Sequence, residues 1–116
     1  MQIVERPWGF YNTIHLEESS FLLKKICVKP NSKLSLQSHN HRSEHWTIIS
    51  GNGRVVLGDD VLIVGPNSHV YIPTNVKHRI INTSETEDLT FVEVQVGQIL
   101  EETDIVRYED EYGRVN

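Results

Sequence analysis

The chain has 116 residues, 38% of them hydrophobic, a formal net charge of −5 at pH 7 and a single cysteine. The length predicts one domain, residues 1–116, with a core of its own, and the lone Cys27 excludes an intrachain disulfide. The charge argues against a nucleic-acid binder, and with no apolar run of ~20 residues and no secretory signal pattern we expect a cytoplasmic protein without a membrane span.

Short runs rich in valine, isoleucine and aromatic residues alternate with turn-forming residues through most of the chain. The separators contain glycine, proline, asparagine or aspartate, which favours hairpin connections between antiparallel strands. Eight such runs predict an all-β sandwich or barrel. The predicted strands are residues 21–28, 34–41, 45–50, 53–57, 61–64, 69–72, 78–81 and 89–96.

Only residues 99–112 lack two-residue alternation. In residues 99–112, Thr103 and Asp104 can cap a short helical turn before Ile105, and the alternative is an irregular tail folded onto the barrel. Near the first predicted strand lies a basic stretch, which we interpret as exposed strand positions, with anion binding as the alternative. The stretch consists of Lys24, Lys25, Lys29 and Lys33.

The first candidate site residues are identified by which side chains share a face of each predicted strand. Alternation along residues 34–41 places Gln37, His39 and His41 on one face, and a polar row of this kind ordinarily faces solvent. Glu44, however, leads an alternating row that continues with the large Trp46, and a carboxylate in such a row is expected to be buried and therefore paired or metal-bound. The spacing thus indicates a metal site inside a small β-barrel, with a wet polar face as the alternative.

Later strands can add two more groups. His78 shares its face with Ile80 and Asn82, so its side chain can enter the same interior. On the last predicted strand Glu93 alternates against valines. It lies either inside the barrel, where burial would raise its pKa toward the range of a general base, or on a wet face.

The residues around these histidines resemble the first motif of the cupin superfamily. That motif is usually a glycine, five residues, His-x-His, three or four residues, a glutamate, six residues and a glycine. The sequence fits it with Asn31 for the first glycine and Gln37 for the first histidine, followed by His39, Glu44 and Gly51. An alternative register takes His39 and His41 as the histidine pair.

The second cupin motif has asparagines where two glycines are usual, and it comprises Asn67, Pro73, Asn75, His78 and Asn82. Asparagine is the non-glycine residue that best tolerates a left-handed backbone, so each turn can survive the replacement. The resemblance implies an all-β cupin fold, a double-stranded β-helix or jelly-roll barrel, that holds a divalent metal. The implied ligands are Gln37, His39, Glu44 and His78.

Four longer stretches are similar to the type II mannose-6-phosphate isomerase domain, namely residues 6–11, 34–46, 71–73 and 104–114. In bacteria this domain is often the C-terminal part of a bifunctional enzyme that also has mannose-1-phosphate guanylyltransferase activity. The resemblance implies interconversion of mannose 6-phosphate and fructose 6-phosphate through an enediolate. Zinc is expected by analogy, and nitrogen and oxygen donors also permit manganese, iron, cobalt or nickel.

The same resemblance suggests partners and alternatives. No glycine-rich phosphate loop is present, so guanylyl transfer is not expected, and a separate guanylyltransferase chain is a possible partner. Cupins commonly dimerise through their sheets, which makes a homodimer the expected assembly. The alternatives are a non-catalytic sugar-phosphate-binding or partner module and another sugar-phosphate or nucleotide-sugar isomerase or epimerase.

An isomerase of this kind needs groups that move a proton and bind a phosphate. Arg42 directly follows the ligand strand, and its guanidinium fork suits phosphate oxygens, so it is a candidate for catalysis and substrate binding, with an exposed arginine as the alternative. Glu93 is the candidate base, and His41 is a candidate at the pocket mouth. Further candidates for substrate binding are Arg107, Tyr108 and Lys29.

Overall fold

The computed structural model describes residues 2–109, and this part of the chain contains strands and no helix. The strands are β1 (Ile3–Arg6), β2 (Gly9–Glu17), β3 (Phe21–Val28), β4 (Leu36–Ser38), β5 (Ser43–Ser50), β6 (Gly53–Leu57), β7 (Asp60–Val64), β8 (His69–Ile72), β9 (His78–Asn82), β10 (Leu89–Val96) and β11 (Val106–Glu109). The all-β prediction is therefore confirmed.

The strands form two antiparallel sheets. One has the order β1-β2-β3-β10-β5-β8, and the other has the order β11-β4-β9-β6-β7. From β3 onward the chain passes repeatedly from one sheet to the other, so most neighbours within a sheet are distant in sequence. This winding of two facing sheets is the double-stranded β-helix, or jelly roll, that the cupin resemblance implied.

The core lies between the sheets and is built from the inward positions of both. Trp46 and Phe91 come from the first sheet, with ring centroids 4.8 Å apart, and Val55 and Ile80 come from the second. Burying each side chain of this size stabilises the fold by ~2 kcal/mol. Their burial follows directly from two-residue alternation, because every second side chain of a strand faces the opposite sheet.

All eight predicted strands are present, and those at residues 21–28, 53–57, 69–72 and 89–96 have the predicted bounds. The largest error in length is in β4, which ends at Ser38 instead of residue 41. Beyond Ser38 the chain leaves the sheet, because the His39 carbonyl accepts the Asn75 amide and the amides of Asn40 and His41 donate to Asp104. The prediction missed β1, β2 and β11.

The prediction of a helical or irregular tail is wrong for residues 106–109, which pair with β4 as strand β11. Asp104 does not begin a helix. Its two carboxylate oxygens accept the backbone amides of Asn40, at 2.9 Å, and His41, at 3.0 Å. Residues 110–112 of the predicted tail lie outside the described residues.

The asparagines that stand at the usual cupin glycine positions have a left-handed backbone conformation. Asn31, Asn67 and Asn75 have φ values of 56°, 72° and 68°. The last glycine of the first cupin motif, Gly51, has φ 87°, and a Cβ atom there would lie 2.4 Å from the carbonyl oxygen of Asp88. Asparagine can therefore hold the left-handed turns, whereas position 51 requires glycine for space as well.

Candidate metal centre and adjoining cavity

Three buried donor side chains from both sheets converge at one point. His39 follows β4, Glu44 lies on β5 and His78 lies on β9. Nε2 of His39 is 3.2 Å from one Glu44 oxygen, and Nε2 of His78 is 3.9 Å from the other. Candidate ligand atoms of the three residues all lie within 4.8 Å of one another.

The two imidazoles are oriented by backbone carbonyls. Nδ1 of His39 donates to the carbonyl of Asp104 at 2.7 Å, and Nδ1 of His78 donates to that of Val76 at 2.9 Å. Because a carbonyl can only accept, each Nδ1 carries the proton and each Nε2 presents a lone pair to the cluster. Burial lowers the pKa of both histidines, that of His39 to about 4, so both imidazoles are neutral.

Glu44 completes the cluster as a buried carboxylate. One oxygen accepts the indole N–H of Trp46 and the other accepts Nε of Arg42, both at 2.9 Å. Burial alone would raise the pKa of Glu44, but the charge of the adjacent Arg42 guanidinium outweighs it and lowers that pKa to about 2. Two neutral imidazole nitrogens and one ionised carboxylate are a donor set that fits a divalent first-row metal.

Gln37 lies beside this cluster. It is the register partner of His78 in the pairing of β4 with β9, which places the two side chains on the same face. Its Nε2 donates to the carbonyl and hydroxyl oxygens of Ser35, at 3.3 and 3.2 Å, so the amide oxygen is the atom that remains for a metal. Gln37 as a fourth ligand stays a prediction.

Arg42 is buried rather than exposed and contacts two of the three donor residues. Besides its bond to Glu44, its Nη2 donates to Nε2 of His39 at 3.2 Å. It also lines a cavity of about 170 Å³ that adjoins the cluster. Arg42 therefore links the candidate metal centre to this cavity.

The cavity is rich in cationic side chains although the chain as a whole is acidic. Four cationic and two acidic side chains line it, together with Trp8, Tyr11, Gln37 and Gln95 among others. The cationic residues are Arg6, Lys24, Arg42 and Arg107, and the acidic ones are Glu93 and Glu102. With a chain net charge of −5, this concentration of positive charge makes the cavity suited to an anion.

Glu93 lies inside the barrel, as one of the two sequence alternatives predicted. Its Oε1 accepts Nε2 of Gln95 at 2.6 Å, and the other amide atom of Gln95, Oε1, is buried without a hydrogen-bond partner. Burial and then the charge of Glu44 raise the pKa of Glu93 to about 8. The cavity thus has a buried carboxyl group that is outside the His–Glu–His cluster.

Lys24 belongs to the basic stretch for which exposed strand positions were expected, with anion binding as the alternative. The expected exposed position is wrong: the residue is 4% exposed and lines the cavity. Its ammonium pairs with the carboxylate of Glu102 and lies 4.3 Å from the centroid of the Tyr11 ring. Two-residue alternation could have predicted its burial, because Lys24 shares its face of β3 with the apolar Leu22 and Ile26.

Three other candidates from the sequence do not line this cavity. His41 is exposed and faces a different surface depression, and Lys29 is exposed just beyond the end of β3. Tyr108 is exposed, with its hydroxyl 2.9 Å from the Ser38 hydroxyl and Lys77 over its ring. The structure brings together Gln37, His39, Arg42, Glu44, His78, Glu93 and Arg107 from the predicted set.

Two facing antiparallel sheets around a buried His–Glu–His cluster define the class as a cupin. The fold matches the Schizosaccharomyces pombe Cnp3 cupin domain with a TM-score of 0.77 and 12% identity, over 84% of this chain and 69% of that one. It also matches oxalate decarboxylase from Bacillus subtilis with a TM-score of 0.80 and 18% identity, over 91% of this chain and 29% of that one.

Within this class, the chain belongs to the family described as mannose-6-phosphate isomerase C-terminal, whose model matches residues 1–110. It is 49% identical to the xanthan biosynthesis protein XanB of Xanthomonas campestris over 111 residues, which are 96% of this chain and 23% of XanB. It is 44% identical to the mannose-1-phosphate guanylyltransferase ManC of Salmonella typhimurium over 112 residues, which are 97% and 23% of the two chains.

The relatives are considerably longer than this chain. The alginate biosynthesis protein AlgA of Pseudomonas syringae, 43% identical over 113 residues, is likewise matched over 97% of this chain and 23% of its own length. The chain therefore spans about a quarter of the relatives that it matches. Among residues 2–109, no helix has the length and apolar character required to cross a membrane.

Proposed function

We propose that this chain is a metal-dependent aldose–ketose isomerase that interconverts mannose 6-phosphate and fructose 6-phosphate. The observation that carries the proposal is the cluster of His39, Glu44 and His78 beside a cavity with four cationic side chains. A metal site and an anion-binding cavity are the two features that isomerisation of a sugar phosphate requires. Membership of the isomerase C-terminal family supports this choice of substrate.

His39, Glu44 and His78 would hold the ion, with Gln37 as the fourth ligand. When bound, a divalent ion supplies an electrophile for the sugar oxygens and stabilises the negative charge of an enediolate. Zinc is proposed by analogy with related isomerases, and the donor set also accepts manganese, iron, cobalt or nickel. The carbonyls of Asp104 and Val76 keep both imidazoles in the tautomer that leaves Nε2 available.

Glu93 is proposed to carry the proton between C2 and C1 of the open-chain sugar. Its carboxylate takes the C2 proton of mannose 6-phosphate and returns it to C1 of the enediolate, while the hydroxyl proton on O2 moves to O1. Glu93 suits this role because it is the buried carboxyl of the cavity that lies outside the metal-ligand set. Its hydrogen bond from Gln95 fixes the direction of the carboxyl group.

The cationic side chains bind and orient the anionic substrate. Arg42 lies next to the ligand atoms and is proposed to contact the sugar oxygens that react. Arg6, Lys24 and Arg107 line the remainder of the cavity, and their positive charges are proposed to attract the phosphate group. The aromatic side chains of Trp8 and Tyr11 also line the cavity.

The proposal is tested by incubating the purified chain, loaded separately with each of the five metals, with mannose 6-phosphate and assaying fructose 6-phosphate. Conversion that is lost in His78→Ala and retained in His45→Ala is the expected result. His45 is a suitable control because it lies on the same strand as Glu44 but on the outer face, where its ring stacks on His69. Unchanged substrate with every metal would contradict the proposal.

One observation favours a second candidate, a sugar-phosphate-binding module without catalysis. Relatives such as ManC are named for guanylyl transfer, and this domain is 23% of their length. In that case the chain would bind mannose 6-phosphate in the same cavity and leave it unchanged, acting with a guanylyltransferase domain or chain. Binding without conversion in the same assay would select this candidate. The homodimer and the cytoplasmic location stay predictions.

A further inference from the structure

Lys24 is unusual because its charge lies inside the barrel. The side chain extends from β3 on the same face as Leu22 and Ile26, and only 6% of it is exposed. A buried ammonium is costly unless it is paired. The ammonium lies over the Tyr11 ring, and its acidic partner in the described structure is Glu102.

Glu102 is a partner that can be exchanged. Its side chain is 63% exposed and belongs to the segment 97–105 between β10 and β11. That segment is anchored independently, because the Gly97 amide donates to the Ser20 carbonyl and Asp104 accepts the amides of Asn40 and His41. Glu102 can therefore swing into solvent while the segment stays in place. An exposed carboxylate loses little when it leaves such a pair.

The distance of Lys24 from the candidate metal centre suits a ligand with a carbonyl at one end and a phosphate at the other. It faces Glu93 across β3 and β10, and Glu93 faces Trp46, two residues from Glu44, across β10 and β5. Strands ~4.8 Å apart and same-face residues ~7 Å apart place the Lys24 backbone about 12 Å from that of Glu44, with both side chains pointing inward. A six-carbon sugar phosphate has its carbonyl and its phosphate at opposite ends, so it needs two such separated points.

We infer that the Lys24 ammonium is the phosphate subsite of the cavity, and that the Glu102 carboxylate occupies this subsite until the phosphate of a sugar phosphate replaces it. The inference rests on the proposed function, since it assigns one end of that substrate. A phosphate monoester carries a charge of about −1.5 to −2 and three acceptor oxygens, so it competes effectively with one carboxylate. Glu102 then acts as an internal competitor that gives way to phosphate but not to neutral sugars.

The test is a calorimetric titration of the purified chain with inorganic phosphate, mannose 6-phosphate and mannose. Glu102→Gln should bind inorganic phosphate and mannose 6-phosphate about threefold to tenfold more tightly than wild type, because the competing charge is gone. Glu101→Gln is the matched control: the same net charge is lost at an exposed neighbour that does not line the cavity. Glu101→Gln should change affinity by less than about twofold, and neither variant should alter binding of mannose.

A second pair of variants tests Lys24 itself. Lys24→Met should abolish binding of inorganic phosphate, whereas Lys25→Met, exposed on the opposite face of β3, should retain it. If Lys24→Met does not fold, the comparison of Glu102→Gln with Glu101→Gln decides alone. Equal affinities in that pair would overturn the inference and leave Lys24–Glu102 as a structural ion pair. Phosphate binding through Lys24 without conversion of mannose 6-phosphate would contradict the proposed isomerase and leave the subsite standing.

Discussion

Arg42 and His39 share a hydrogen bond of 3.2 Å between Nη2 of the guanidinium and Nε2 of the imidazole. The same Nε2 atom faces Glu44 and is the atom with which His39 would ligate a metal. One lone pair cannot serve both partners, so binding of a metal requires Arg42 to release His39. Arg42 also lines the cavity, so a released guanidinium would be close to the proposed substrate.

Replacement of Arg42 by methionine should therefore strengthen metal binding. The change frees the His39 lone pair and removes a positive charge that contacts two candidate ligands, so we expect the affinity for zinc to rise about tenfold or more. The same variant should lose most of the proposed isomerase activity, because a proposed substrate contact is gone. Competition with a chromophoric chelator measures the affinity. Arg54→Met, at an exposed position of β6, is the control for net charge. Equal or weaker zinc binding in Arg42→Met would show that the contact does not compete with the metal.

Replacement of Gln37 by alanine tests the fourth ligand. If the amide oxygen ligates the metal, affinity should fall about tenfold or more while the fold is retained, because the side chain is half-buried at the rim of the cluster. Gln98→Ala removes an exposed glutamine outside the cavity and should have no effect. An unchanged affinity in Gln37→Ala would assign the site to His39, Glu44 and His78 alone.

If Glu93 is the proposed base, its replacement by glutamine should reduce kcat by about 10² to 10⁴ with little change in KM, because the shape of the side chain is kept and only proton transfer is lost. Exchange of solvent deuterium into fructose 6-phosphate should fall in parallel. The exposed Glu87→Gln serves as the control. A kcat for Glu93→Gln within about threefold of wild type would assign proton transfer to another group.

Replacement of Asp104 by alanine should destabilise the protein by about 2–4 kcal/mol, because two charge-assisted hydrogen bonds to the amides of Asn40 and His41 are lost. Urea unfolding measures this difference. Asp104→Asn keeps one carbonyl acceptor and should lose about half as much. Asp59→Ala, at an exposed turn, should be neutral. Similar unfolding curves for Asp104→Ala and wild type would show that these two hydrogen bonds are not needed for stability.

Much of the fold and of the candidate metal centre could be predicted from local patterns. Alternation alone predicted the bounds of β3, β6, β8 and β10 correctly, and it predicted that Glu44 and Trp46 face the core. The same reliance on apolar alternation explains why strand β2 was missed. It lies near the sheet edge and is mostly exposed, so its residues do not show the apolar alternation that reveals a half-buried strand.

The cavity could not be predicted in this way, because its contacts join residues that are far apart in the chain. Lys24 and Glu102 are 78 positions apart, and His39 and Asp104 are 65 positions apart. The role of Asp104 illustrates the difficulty. An aspartate before an apolar residue suggests a helix cap, but its carboxylate oxygens accept hydrogen bonds from the backbone amides of a distant loop. Local signals cannot choose between these two uses of the same carboxylate.

By itself, the sequence determined the features that depend on neighbouring residues: the two-residue period of the strands, the left-handed turns at Asn31, Asn67 and Asn75, and the inward direction of Glu44. Only the tertiary structure decided which distant side chains meet, so that Arg42 lies against His39, and Lys24 faces Glu102 inside the cavity. The physical reason is that backbone conformation is set by local sterics, whereas charge pairing inside a barrel is set by how its sheets close.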